Sequence, residues 1–357
     1  MKSVGVLIIS LAPVFGIGNL ARGATAENAA PLYEQAFAAL PTTPADIEVY
    51  DNWQSARVNA NTLGLAQRCQ QCRLLLHQAA LAPKCDWGWD FKKGPALKIP
   101  ELNRIRPLGK AATLWIRLSF DQKHESEAVQ SVEDLANLGR RLAAAPLVIT
   151  GLNGRALESE ATYVTAAYLQ TLTPASLQQL QSSFETLPPN PPLPESLQKE
   201  QAVIIDLLFQ AVAKGGNDPL YADLPKQPGE ASKAVFACQD LYAESVRIAS
   251  LSPDKAAQAM SPFKAKLASA PVICQKMTVA DPSHLAMAEA HHREDIALFE
   301  AAITVVQKGR AALQSTSDPV GGGPFGYREI RDGFELLSKL TDRGEAVTIQ
   351  VGPEAFR

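Results

Sequence analysis

Ser126-Glu127-Ala128-Val129-Gln130-Ser131-Val132-Glu133-Asp134-Leu135-Ala136-Asn137-Leu138-Gly139-Arg140-Arg141-Leu142 is the stretch on which the fold class turns. Ala128, Val132, Leu135, Ala136, Leu138 and Leu142 recur mostly three or four apart, while Glu133, Asn137, Arg140 and Arg141 fall outside that stripe. The spacing predicts a surface helix with one buried face. Val203, Ile204, Leu207, Leu208, Ala211 and Val212 repeat the pattern, and Gly215-Gly216 supplies a stop.

The same period predicts helices near 29–40, 59–81, 100–121, 147–172, 174–186, 230–250, 254–269 and 283–314. Thr173-Pro174 and Ser252-Pro253 each place an N-cap residue before a proline at the first helical position, which implies short turns and antiparallel neighbours. Aromatics make up only 6% of the chain, too few for a β-sandwich core. No fixed-period repeat stands out. The expected fold is therefore mainly α, an irregular antiparallel helical array of which an α-solenoid-like stack is one form, closed by a small C-terminal β-hairpin unit.

Two breaks organise the array. Leu187-Pro188-Pro189-Asn190-Pro191-Pro192-Leu193-Pro194 denies helix hydrogen bonds and favours polyproline II. It reads as a linker, 188–194, between an N-terminal helical domain at 27–187 and a C-terminal one at 195–316. Beyond Gly321-Gly322-Gly323-Pro324, alternation replaces the helical period. Phe325 to Ile330 and Phe334 to Leu337 flank Arg331-Asp332-Gly333, a hairpin signal, and Ala346 to Val351 offers a third strand in a tail at 317–357.

Lys2, the apolar run Val4 to Ile17 and the small residues Ala24-Thr25-Ala26 before Glu27 have the layout of a signal peptide, residues 1–26. The run is shorter than the roughly 20 residues a spanning helix needs, so the mature chain is expected in the periplasm or outside the cell, without a transmembrane segment. Lys and Arg total 34 against 37 Asp and Glu, with no block of either sign, so nothing points to nucleic acid. In an oxidising compartment Cys238 and Cys274, each in a helical region, are the candidates for a disulfide.

Lys84-Cys85-Asp86-Trp87-Gly88-Trp89-Asp90-Phe91-Lys92-Lys93-Gly94-Pro95, with the helices from Leu97 to Leu169, resembles a group of uncharacterised exported helical proteins from bacteria, a likeness that implies no activity. The tail Asp318-Pro319-Val320-Gly321-Gly322-Gly323-Pro324-Phe325-Gly326-Tyr327, through Asp332-Gly333-Phe334-Glu335-Leu336-Leu337-Ser338, is similar to the C-terminal hairpin of type II secretion pseudopilins, some of which bind calcium there. The N-terminus lacks the pilin-type methylated Phe and assembly helix, so the likeness implies a shared hairpin only.

Three groups carry chemistry. Cys69-Gln70-Gln71-Cys72 has redox and metal spacing, and with His77 and Cys85 makes a set of four ligands, soft sulfur with imidazole, that would suit zinc. The surrounding sequence reads as continuous helix, without the strand-to-helix junction that activates such thiols, so the cysteines read as structural. His284, His291 and His292, beside Glu289, Glu294 and Asp295, form the densest ionisable cluster; they are metal candidates against the plainer reading of a solvated face. Asp86-Trp87-Gly88-Trp89-Asp90 pairs two aromatic faces with two carboxylates, suited to a sugar ring or to plugging helices together.

No phosphate loop, nucleophile elbow or zinc-protease signature is present. These features favour a non-enzymatic binding or scaffold protein of the cell envelope, presenting a groove to a peptide, protein or envelope polymer and needing no cofactor. The alternatives are an enzyme or metal protein built around His284 to Asp295, and a secretion-machine accessory acting through the hairpin.

Overall fold

The computed structural model describes residues 26–99, 102–215, 221–278 and 281–356. The signal-peptide reading of residues 1–26 thus lies almost wholly outside the described residues. Helix, 3-10 turns included, accounts for 68% of the described residues, and three antiparallel strands close the fold. The helices are α1 (Ala30–Ala39), α2 (Pro44–Asp51), α3 (Ala60–Arg68), α4 (Gln70–Ala80), α5 (Leu102–Asp121), α6 (Glu125–Ala143), α7 (Val148–Ala166), α8 (Pro174–Thr186), α9 (Leu193–Ala213), α10 (Pro228–Ala249), α11 (Pro253–Ala268), α12 (Val272–Met277) and α13 (Pro282–Lys308). No helix among the described residues is long and apolar enough to cross a membrane.

Several boundaries depart from the sequence expectation for local reasons. The helix expected over 59–81 breaks at Cys69, which ends α3 and starts α4. The helix expected to reach 314 stops at Lys308, because Gly309 takes φ +82° and a 3-10 turn, Arg310–Ser315, follows. Thr173 caps α8 by accepting from the Ser176 N–H, whereas Ser252 occupies the N-cap of α11 without a side-chain bond. Unforeseen α2 carries a full capping box between Thr43 and Asp46.

The centre of the molecule is the layer α5–α6–α7, and glycine makes it thin. A Cβ on Gly154 would lie 2.2 Å from the Gly139 carbonyl oxygen, and one on Gly139 would lie 2.6 Å from the Gly154 oxygen. Here α6 and α7 cross backbone to backbone. The stripe of α6 is buried as read, with Val132, Leu135, Ala136, Leu138 and Leu142 fully enclosed.

The tail forms β1 (Gly326–Ile330), β2 (Gly333–Asp342) and β3 (Glu345–Val351) in the order β1-β2-β3. Ile330 pairs with Gly333, so the first turn is Arg331-Asp332, with Asp332 at φ +58°. Gly333 serves a different need from the turn, since a Cβ there would strike the Val351 carbonyl at 1.9 Å. Arg343-Gly344, both at positive φ, makes the second turn.

The Pro-rich segment separates α8 from α9, but the division between core clusters does not follow it, because α13 and the sheet join the helices before it. Leu298, Phe299, Ala302 and Ile303 of α13, and Phe334, Leu336, Ile349 and Val351 of the sheet, join one cluster with α1 and α4–α8. A second cluster gathers α9–α12 and Ala286 near the start of α13. Helix α13 therefore belongs to both. Cys238 of α10 and Cys274 of α12 are bonded, with Cα atoms 4.9 Å apart, as the sequence suggested.

A candidate binding furrow along helix α13

Arg155 and Glu158 stand three apart on α7, on the face that meets α13, and both are buried. Neither charge is tolerable there alone. Arg140 of α6 donates from Nε (2.8 Å) and Nη2 (2.5 Å) to Oε1 of Glu158, and His292 Nε2 lies 3.3 Å from Glu158 Oε2. These partners hold the Glu158 carboxyl below its usual range although burial acts the other way. Burial pulls the Arg155 guanidinium down, and Glu289, at 2.8 Å, offsets part of that.

The prolines are stitched into this network. Arg155 Nη2 donates to the Pro191 carbonyl at 2.6 Å, Arg140 Nη1 to that of Pro188 at 3.4 Å, and the Leu193 N–H to Glu289 at 2.9 Å. Asn190 Nδ2 lies 2.9 Å from His292 Nε2 and 3.2 Å from Glu158 Oε2. Of the stretch 188–194 read as a linker, Leu193 and Pro194 open α9, and residues 188–192 are a strap that α6, α7 and α13 hold from three sides.

Above this network the surface is concave. Three hollows of about 340, 310 and 370 Å³ adjoin one another. The first and second share Ala297 and Glu300, and the second and third share Phe325. Set side by side through these shared residues, they are taken together as a furrow from Glu289 and Arg293 past Thr304 to the Arg310–Ser315 turn, where Arg310 lies 4.5 Å over the Tyr327 ring. Its floor is apolar, with Phe184, Phe299, Ala301, Ile303 and Phe325 all buried. Its rim carries exposed Arg293, Glu185, Glu300, Gln181, Ser315 and Ser317.

The histidine cluster is thus only partly a site. His292 is buried in the network; His291 Nδ1 lies 3.3 Å from Asp295 and is held above its usual range chiefly by that contact; His284 is exposed. The three imidazoles take three different environments, and no group of three His, Cys, Asp or Glu suited to a metal occurs among the described residues. Ser159 donates to Asp295 at 2.6 Å, so Asp295 sits between the hydroxyl and His291.

The other candidates fall elsewhere. Trp87 is buried, stacks between Tyr33 and Trp89 at centroid distances of 5.7 and 5.1 Å, and donates from Nε1 to the Arg141 carbonyl. Asp86 and Asp90 are exposed and accept the N–H of the residue two further on, Gly88 and Lys92, so both carboxylates shape turns. Asp86 also clamps the first described residues: its N–H donates to Asn28 Oδ1 at 2.7 Å, and its carbonyl accepts from Asn28 Nδ2 at 2.8 Å. Cys69 and Cys72 are buried, and burial pushes both thiols up, away from the thiolate that redox or zinc chemistry needs. Burial likewise raises Cys85 to about 12, and His77 turns to Asp134 at 3.2 Å.

Sequence reasoning missed Arg140, Arg155, Glu158 and Asn190. The available signal was charge inside an otherwise apolar helix, Arg155 and Glu158 between Leu152 and Ala161. No family model, curated protein or solved structure matches the chain.

Proposed function

We propose that the chain is an exported binding protein of the bacterial cell envelope whose furrow along α13 seats an extended peptide segment of a partner protein. The furrow's cross-section carries this reading: a buried apolar floor beneath a rim of exposed charges and hydroxyls. That arrangement suits a peptide that buries alternate side chains and pairs its polar groups at the edge. From Glu289 to Thr304 the helix advances roughly 22 Å, which about six or seven extended residues span. The Cys238–Cys274 bond supports an oxidising compartment. The order Ser159–Asp295–His291 favours binding over acyl transfer, because the imidazole does not touch the hydroxyl it would have to activate.

A displayed library of random heptapeptides, panned against the purified chain, is expected to enrich sequences with an acidic residue near one end, opposite Arg293. A basic residue toward the middle should face Glu185 and Glu300. The double charge reversal Arg293→Glu with Glu300→Lys should invert that preference. Selected peptides indifferent to the reversal, or binding of peptidoglycan fragments in place of any peptide, would defeat the peptide assignment.

A further inference from the structure

A second hollow shares no residue with the furrow and has a different chemistry. It measures about 430 Å³ and lies where the turn between α6 and α7, the 3-10 turn Phe91–Ala96, α9 and α12 converge. Phe91, Leu147, Val203, Ile204 and Met277 line it and are only half-buried, so the chain concentrates incompletely covered apolar surface in one place. A hollow of this size and lining suits one small molecule. Its α12 wall is fixed to α10 by the disulfide, one residue from lining Ile273.

Its polar equipment is sparse and asymmetric. Glu200 of α9 lines the hollow and spends one oxygen on the Val148 N–H, at 2.7 Å, at the start of α7. Among the described residues its second oxygen accepts no hydrogen bond. The other two charged residues, Asp223 and Lys276, neutralise each other at 2.6 Å and are exposed. One carboxylate therefore remains unbalanced against an apolar wall. Burial raises the Glu200 pKa, a cost that a positive group beside it would offset.

We propose that this hollow is a binding site for a small amphipathic amine, whose apolar body fills the space beside Ile204 and Met277 and whose ammonium pairs with Glu200. The site is separate from the peptide furrow, so either assignment can fail without the other.

The test uses the whole mature chain with N-phenyl-1-naphthylamine as fluorescent occupant at pH 8, displaced by decylamine or decanoate below their micelle-forming concentrations, or by decanol below its solubility limit. Decylamine is expected to displace the probe at least tenfold more effectively than decanoate, with decanol between them. Glu200→Gln keeps an acceptor for the Val148 N–H and should remove the preference for amine over acid while retaining probe binding. Ile204→Trp, or Val203→Phe should that variant not fold, fills the hollow and should abolish the probe signal with an unchanged circular dichroism spectrum. Decanoate competing as well as decylamine on the native chain, or undiminished probe binding in a folded, filled variant, overturns the proposal.

Discussion

Glu158 and Glu160 lie two residues apart on α7, yet their environments push them in opposite directions. Arg140 and His292 hold the Glu158 carboxyl below its usual range, so its contribution to stability is present above an unfolded value of about 4.3 and is lost as pH falls through the lower folded value. Burial raises Glu160 to about 7, only partly countered by Lys110 and Arg106, and its Oε2 has no hydrogen-bond partner. The sign therefore reverses. Glu160 favours the fold while protonated, below about 4.3, and that advantage is lost as pH rises through about 7. Glu160→Gln should stabilise the protein by about 1–2 kcal/mol at pH 8 and have little effect at pH 4. Urea unfolding at the two pH values measures this; equal effects at both would show that the carboxyl is not the cause.

At the scale of elements, the crossing of α6 and α7 makes a sharper claim than either helix alone. Gly154→Ala sets a methyl against the Gly139 carbonyl, a backbone atom with no room to yield. The helices must separate, at a cost of about 1–3 kcal/mol or more. Gly64→Ala in α3 meets open space and should instead stabilise by about 0.5–1 kcal/mol. Thermal melts of the two variants should move in opposite directions; a neutral Gly154→Ala would mean that the helices are not in backbone contact. The sequence showed the stripe of α6, because a buried face imposes a period, and it showed the hairpin and the Cys238–Cys274 pair. It did not show why Gly139 and Gly154 are glycines, since that depends on which helix lies opposite. Helix α2 escaped notice although Thr43-Pro44 repeats the Thr-Pro start used for α8, because eight residues carry little more than two turns of period.

The whole molecule is where the sequence was least legible, because α13 takes part in two cores at once. Prolines at 188–194 looked like a seam; what makes them a strap is Arg140, Arg155 and Glu289 arriving from far along the chain. The C-terminal sheet looked like an appendage, yet Phe334, Leu336, Ile349 and Val351 cover the same core as Leu298 and Phe299. The connection is polar as well. Glu294, raised to about 7 by burial with the nearby Asp318 charge adding to the rise, accepts the Val320 N–H at 2.9 Å. Asp318 accepts from Lys339 N at 2.7 Å and from Ser338 Oγ at 3.0 Å, tying the loop to β2. Removing residues 317–357 would therefore strip one wall of the larger core and leave Glu294 without its backbone donor. The truncated chain is expected to lose its near-ultraviolet circular dichroism and its cooperative melt, while the full chain unfolds in one transition seen alike in the near and far ultraviolet. A truncated chain that melted near the full chain's Tm would show the sheet to be dispensable to the core, and would return the hairpin to the role of an independent arm that meets a partner on its own.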